Sequence, residues 1–267
     1  MPFFSGSSGN CTLVETKKAR ILVDLGVSYK KIANSLNAFN LSGADIHRVY
    51  ITHAHADHDQ GLLMFMKNHP TEVYTREATK QVLIKKYPGL AKFEQRIKIL
   101  NGSKEDQIQD LKICYCRLPH QGRGLDYDDT GEHIGFVFEA YGHRMSFMTD
   151  LGHLTNNMKN FHRNNDVYFI EANYDLDMQT ISSRPDFLKR RIIGDHGHLS
   201  NSQTAEYLYE LADSNKTKHV FLAHLSRDCN SAELAISTVK QKLKAHPIGD
   251  KIEIHTDQLK RYFIKAT

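Results

Sequence analysis

Between Thr52 and Gly61 the chain reads Thr-His-Ala-His-Ala-Asp-His-Asp-Gln-Gly, with three imidazoles and one carboxylate close together at His53, His55, Asp57 and His58. A histidine kept for packing normally stands alone with one hydrogen-bond partner, so this density calls for another account. In an extended turn the alternate residues His53 and His55 fall on one side, while Asp57 and His58, at a helix start, face a second point nearby. Mixed nitrogen and oxygen ligation of this kind suits Zn2+ and accepts Mn2+ or Fe. Bound divalent ions would generate hydroxide near neutral pH and polarise an oxygen, which is hydrolytic chemistry.

The motif follows a strand-like run, Arg48–Thr52, and leads into a helical stretch, His58–Asn68, whose Leu62, Leu63, Phe65 and Met66 form a stripe to bury. Further strand-like runs are Thr12–Glu15, Arg20–Asp24, Glu72–Thr75, Leu111–Cys116, Ile134–Glu139, Met145–Thr149, Val167–Glu171, His219–Ala223 and Ile252–Ile254. Helix-like segments lie around Tyr29–Phe39, Ala78–Tyr87, Gln203–Asp213 and Ala232–Ala245. Strands alternate with helices but also come in adjacent pairs. Two β-sheets flanked by helices therefore fit the order better than one doubly wound sheet. No Pro- or Gly-rich linker interrupts the chain, so residues 1–267 are expected to form a single α/β domain whose halves meet near residue 120.

A chain of 267 residues, 40% hydrophobic and 25% charged, reads as globular and excludes a collagen-like, disulfide-rich or disordered protein. No apolar run approaches the ~18–20 residues of a membrane span. The start, Met1-Pro2-Phe3-Phe4-Ser5-Gly6, lacks the basic and apolar regions of a secretory signal. The four cysteines, Cys11, Cys114, Cys116 and Cys229, fit a reducing compartment, so a cytoplasmic protein without a membrane partner is expected. Cys114 and Cys116 share one strand face and read as packing groups. The formal charge of +4 permits an anionic substrate without requiring one.

The HxHxDH pattern of residues 53–58 resembles that of the metallo-β-lactamase superfamily, and the rest of the chain follows the same order. The resemblance implies an αββα sandwich with metals at the sheet edges between its halves. It also implies further site residues. Asp24, before Leu25-Gly26, would buttress the histidine loop. His120, in Leu118-Pro119-His120, would join His53 and His55 on a first metal. His224, in Phe221-Leu222-Ala223-His224, would join Asp57 and His58 on a second. Asp150, in Phe147-Met148-Thr149-Asp150-Leu151-Gly152, would bridge the two with a hydroxide. Two divalent ions less the charges of Asp57, Asp150 and the hydroxide leave about +1, which complements a phosphodiester and also admits a lactam or thioester.

Within the superfamily, four stretches resemble the YycJ/WalJ-type nucleases: Ser5-Gly6-Ser7-Ser8-Gly9-Asn10, Glu171-Ala172-Asn173-Tyr174-Asp175, Leu188–Ile192 with Gly194–Asn201, and His224–Asn230. Those proteins are close to the β-CASP nucleases but lack the inserted β-CASP domain, for which this chain has no room either. The resemblance implies a 5′-to-3′ exonuclease on DNA, linked in bacteria to mismatch repair, using two divalent ions, Zn2+ or Mn2+. Asp57, Asp150 and His198 would be its catalytic groups. His198 either donates to the scissile phosphate or leaving oxygen, or belongs to the turn leading into a helix capped by Asn201 or Ser202. Lys189, Arg190 and Arg191 either follow a nucleic-acid backbone or form a solvated helix face. Ser7, Ser8 and Asn10 either offer donors to a terminal phosphate or form a plain turn, and Asn173, Ser200 and Asn201 are further candidate substrate contacts.

Two departures stand out: Tyr174 occupies a position where histidine is usual, and residues 121–132 are longer and more acidic than the expected turn. The alternative to a DNA exonuclease is a metal-dependent hydrolase of a small phosphodiester or of RNA. A β-lactamase is disfavoured by the missing secretory signal. A non-enzymatic scaffold would not need a complete bimetallic ligand set. A redox di-iron protein typically carries a glutamate in the motif where this chain has His55. No protein partner is indicated.

Overall fold

A computed structural model describes residues 1–101, 105–120, 133–213, 215–247 and 249–256. They form two compact units, one built on residues 1–111 and the other on 112–120 and 133–256. Each unit has a mixed β-sheet with its own helices. The expected acidic loop at 121–132 lies outside the described residues.

The first unit opens with β1 (Pro2–Phe4), β2 (Cys11–Glu15) and β3 (Arg20–Val23), joined antiparallel. It continues through α1 (Tyr29–Asn37), β4 (Arg48–Tyr50), α2 (Ala56–Asp59), α3 (Leu62–Asn68), β5 (Glu72–Thr75), α4 (Glu77–Lys86), β6 (Ile97–Ile99) and β7 (Glu105–Ile108). From β3 to β6 the neighbours are parallel, which requires the helical crossovers between them. Alternate strand residues Leu22, Val49 and Val73 pack with Ile32 and Leu36 of α1 and with Leu62, Phe65 and Met66 of α3. Burying each such side chain contributes roughly 1.5–3 kcal/mol.

The second unit contains β8 (Leu111–Arg117), β9 (Ile134–Ala140), β10 (His143–Met148), α5 (Asn156–Phe161), β11 (Val167–Glu171), α6 (Leu176–Ile181), α7 (Asp186–Ile193), α8 (Asn201–Leu211), β12 (His219–Ala223), α9 (Ala232–Leu243) and β13 (Glu253–His255). Its strands run in the order β13-β12-β11-β10-β9-β8. The pairs β8–β9 and β9–β10 are antiparallel, and β10 to β13 are parallel. Parallel strands are covered on both faces, so β11 is buried along its whole length, including its charged last residue, Glu171. Tyr168, Ile170, Val220 and Leu222 pack with Ala205, Leu208 and Leu211 of α8 and with Ala235, Val239 and Leu243 of α9.

Strands β5, β11 and β12 have the bounds of the strand-like runs expected there. The single helix expected over His58–Asn68 is instead two, α2 and α3. The chain turns at Gly61, whose N–H donates to Leu25 O at 2.7 Å and where a side chain would collide with Val27 O. The cap expected at Asn201 or Ser202 is Ser200. Its hydroxyl accepts from Gln203 N, and the Gln203 side chain accepts from Ser200 N, a complete capping box.

Candidate metal centre

Parallel strands gather the loops that follow them at one sheet edge, and site residues collect there in each unit. In the first unit Asp24 follows β3 and the histidine motif follows β4. Asp24 is buried and accepts from Thr52 N at 2.8 Å, from Thr52 Oγ1 at 2.9 Å and from His58 Nδ1 at 2.8 Å. Burial raises the carboxyl pKa above its ordinary value, a rise that the His58 ring and the Thr52 donors offset only in part. Because a carboxylate only accepts, the His58 proton sits on Nδ1 and Nε2 keeps its lone pair.

That Nε2 lies 3.8 Å from Asp57 Oδ2. His53 Nε2 and His55 Nδ1 are 2.7 Å apart, close enough to serve one ion together, and His53 Nδ1 is 3.0 Å from Thr52 Oγ1. The donor set of imidazole nitrogens and a carboxylate oxygen, oriented from behind by Asp24 and Thr52, fits zinc or manganese. Asn10 Nδ2 lies 3.0 Å from the same His58 Nε2, so an ion there would replace that contact. Asn10 also ties down its surroundings. Its Oδ1 accepts from Gly6 N, and its backbone N–H donates to Asp57 O at 2.8 Å. Gly26 lies so close to this turn that a Cβ would overlap the Asp57 carbonyl oxygen. Ser7 and Ser8 are exposed in the same loop.

In the second unit Asp150 follows β10, Glu171 ends β11 and His224 follows β12. Glu171 is wholly buried, and its Oε1 accepts from His224 Nδ1 at 2.6 Å and from His198 Nδ1 at 2.8 Å. Its Oε2 accepts from Leu151 N at 3.1 Å and Leu199 N at 3.4 Å. Burial pushes the carboxyl pKa up, but the charge and hydrogen bonds of the two histidines outweigh it and hold the group down at about 2. Asp150 Oδ1 lies 3.4 Å from His224 Nδ1 and 3.8 Å from His198 Nδ1, so one carboxylate pair organises both rings. His120 Nδ1 is 3.1 Å from Gly197 O, and burial lowers the His120 pKa to about 4, which keeps the ring a neutral ligand.

Asp24, Asp150 and His224 all have left-handed backbone, with φ of 60°, 55° and 54°. Non-glycine residues seldom adopt it. Here it turns the chain sharply at a strand end and leaves the side chain at the sheet edge.

Of the other candidates, Asn173, Ser200, Asn201 and Lys189 make hydrogen bonds within the protein. Asn173 Nδ2 donates to His224 O at 2.8 Å, Asn201 and Asn230 exchange amide hydrogen bonds at 2.9 Å, and Ser200 caps α8. Lys189 Nζ donates to Thr180 O at 2.8 Å, while Arg190 and Arg191 are exposed in the last turn of α7. Tyr174 packs with Ile192 and Cys229. Sequence reasoning assigned no role to Glu171. Its signal is a carboxylate closing an apolar strand, as Asp24 follows β3. It also missed Asp59, buried between Lys86 Nζ at 2.7 Å and Tyr87 OH at 2.8 Å, an ion pair that anchors the histidine turn to α4.

Residues 19–225 match the family described as the beta-lactamase superfamily domain. The chain is 33% identical over 246 residues to exodeoxyribonuclease WalJ of Streptococcus pneumoniae, covering 92% of this chain and 88% of that one. It is 30% identical over 256 residues to exodeoxyribonuclease YycJ of Bacillus anthracis, covering 94% and 92%. The fold is that of the metallo-beta-lactamase fold protein YhfI from Bacillus subtilis, with a TM-score of 0.65, 13% identity and coverage of 95% and 91%.

Proposed function

Because the chain belongs to the beta-lactamase superfamily, we propose that it is a metal-dependent exonuclease that removes nucleotides from the 5′ end of DNA. Likeness over nine-tenths of the chain to two proteins named as exodeoxyribonucleases carries this reading. The two units are the halves of one domain in this reading, which the family match running through both supports. His53, His55 and His120 would hold one divalent ion and Asp57, His58 and His224 a second, with Asp150 available to both. When bound, the ions supply Lewis acidity toward a phosphoryl oxygen and an activated water near neutral pH.

The chain's own groups do the rest. Asp24 and Glu171 fix the tautomers of His58 and His224 from behind. His198, its Nδ1 held by Glu171, offers Nε2 to the leaving oxygen. Water adds to phosphorus and gives up a proton to solvent, the bond to the 3′ oxygen breaks, and that oxygen takes a proton from His198, which solvent restores, as a 5′-mononucleotide departs. Arg190 and Arg191 follow the DNA backbone. Among the described residues no helix is long and apolar enough to cross a membrane. We place the protein in the cytoplasm, in DNA repair.

The test is a time course with Zn2+ or Mn2+ on single- and double-stranded DNA labelled at either end, with and without a 5′-phosphate. Loss of the 5′ label first, abolished by EDTA, is expected. Attack from the 3′ end alone, or turnover of small diesters with none of DNA, overturns the reading.

A further inference from the structure

At the opposite end of the second sheet from Asp150 and His224 lies a second group of ligating side chains, which the nuclease reading does not use. Strand β12 begins with His219 and pairs in parallel with the three-residue β13, His219 opposite Glu253 and Phe221 opposite His255. Residues two apart on a strand share a face, so this register brings His219, Glu253 and His255 together on one side. His219 Nδ1 lies 3.2 Å from His255 Nε2 and 3.4 Å from Glu253 Oε2, and that oxygen is 3.7 Å from His255 Nε2. His255 is braced by stacking on Phe221, with ring centroids 4.7 Å apart. His219 and His255 are largely covered, at 23% and 15% side-chain exposure, whereas Glu253 is open at 68%.

Ligands ~2.1 Å from a tetrahedral ion are separated by about 3.4 Å, the edge of the tetrahedron. The three distances measured here bracket that value. A hydrogen-bonded cluster accounts for the triangle less well, because His219 Nδ1 carries at most one proton and faces two neighbours at similar range. The geometry points to a peripheral site for a divalent transition ion, with His219 Nδ1, His255 Nε2 and Glu253 Oε2 as ligands and the fourth position open to solvent. Two imidazoles and one carboxylate select zinc, nickel, cobalt or copper over magnesium or calcium. The ion clips an edge strand that otherwise has β12 as its sheet neighbour. His224 follows β12 five residues after His219, so at ~3.3 Å per residue the clip lies roughly 16 Å from it along the strand. The two sites load independently.

The experiment compares metal content of the full chain with that of His219→Gln and His255→Gln after equilibration with Zn2+ and removal of free ion. Each variant is expected to hold one equivalent fewer than wild type, and micromolar Zn2+ is expected to raise the wild-type Tm more than theirs. The comparison is a difference of one, so it stands whatever number of ions the nuclease centre holds. Glu253→Gln, at an exposed position, keeps the fold and is expected to weaken the extra site by at least ~10-fold. Equal zinc stoichiometry in wild type and both histidine variants, with equal Tm shifts, overturns the site.

Discussion

Glu171→Gln removes one charge from a wholly buried position while keeping its shape, so its effect can be worked out bond by bond. Oε1 receives the N–H groups of His198 and His224, and Oε2 those of Leu151 and Leu199. Glutamine has one oxygen and one NH2 group. Whichever way the amide is turned, its NH2 faces either two imidazole or two backbone donors. Two of the four hydrogen bonds are lost, each worth about 1.5–3 kcal/mol because the acceptor is charged, or ~3–6 kcal/mol together. Relief by a change of tautomer puts the proton on Nε2 of a ring, where it blocks that nitrogen as a ligand. We therefore expect zinc affinity and kcat each to fall roughly 10–100-fold and the Tm to drop, in line with the loss of an orienting partner. Zinc competition against a chromophoric chelator and single-turnover cleavage of labelled DNA measure the two effects. A variant with wild-type zinc affinity and wild-type kcat would refute the argument that this carboxylate orients the two histidines.

His198→Ala should leave metal content and substrate affinity near wild type while kcat drops roughly 10²–10⁴-fold; loss of metal would make the residue a ligand instead. Gly26→Ala places a Cβ against the Asp57 carbonyl oxygen. It should destabilise by ~1–3 kcal/mol in urea unfolding and weaken metal retention, and unchanged values would show that the turn can yield. Burial lowers the His162 pKa to about 3, with Ser146 Oγ 2.8 Å from its Nδ1. Below pH ~6.5 the unfolded chain binds a proton that the folded chain refuses, so this residue removes ~1.4 kcal/mol of stability per pH unit from there down to pH ~3. In His162→Gln that part of the acid-side slope should vanish, as read by urea unfolding at pH 7, 6 and 5. Replacing Lys189, Arg190 and Arg191 together should flatten the salt dependence of DNA binding. Because Lys189 is bonded to Thr180 O, the slope should fall by the ~2 contacts of the arginines, and an unaltered slope would remove α7 from the DNA interface.

The residues legible in the sequence are those whose signal is local. The spacing of His53, His55, Asp57 and His58 needs only a strand and a helix start, and the apolar runs of β5, β11 and β12 announce themselves. Strand β7, Glu-Asp-Gln-Ile, is too polar to register as a strand, and β1 opens on a proline that weakens its strand signal. Helices α5 and α6 are six residues each, and Phe187 and Arg190 of α7 are exposed, so its apolar face is thin. Glu171 and Asp59 were illegible for another reason. A lone carboxylate in a sequence does not say what will face it, and their partners are 20 residues or more away in the chain. The choice of Ser200 over Asn201 as cap turns on one residue of register that both sequences of polar groups would satisfy.

The left-handed backbone at Asp24, Asp150 and His224 has a consequence for how such a protein can change. Each position carries conformational energy on the order of 1 kcal/mol that glycine would relieve. The substitutions that most ease the backbone are therefore ones that delete the site. Glycine at Asp24 would also strip Thr52 and His58 of their buried acceptor, each orphaned donor costing about 1–3 kcal/mol, so the eased backbone would not make the protein sturdier. Aspartate and histidine are among the side chains that tolerate this conformation best, so the alphabet of ligating residues and the alphabet of permitted residues overlap at these positions.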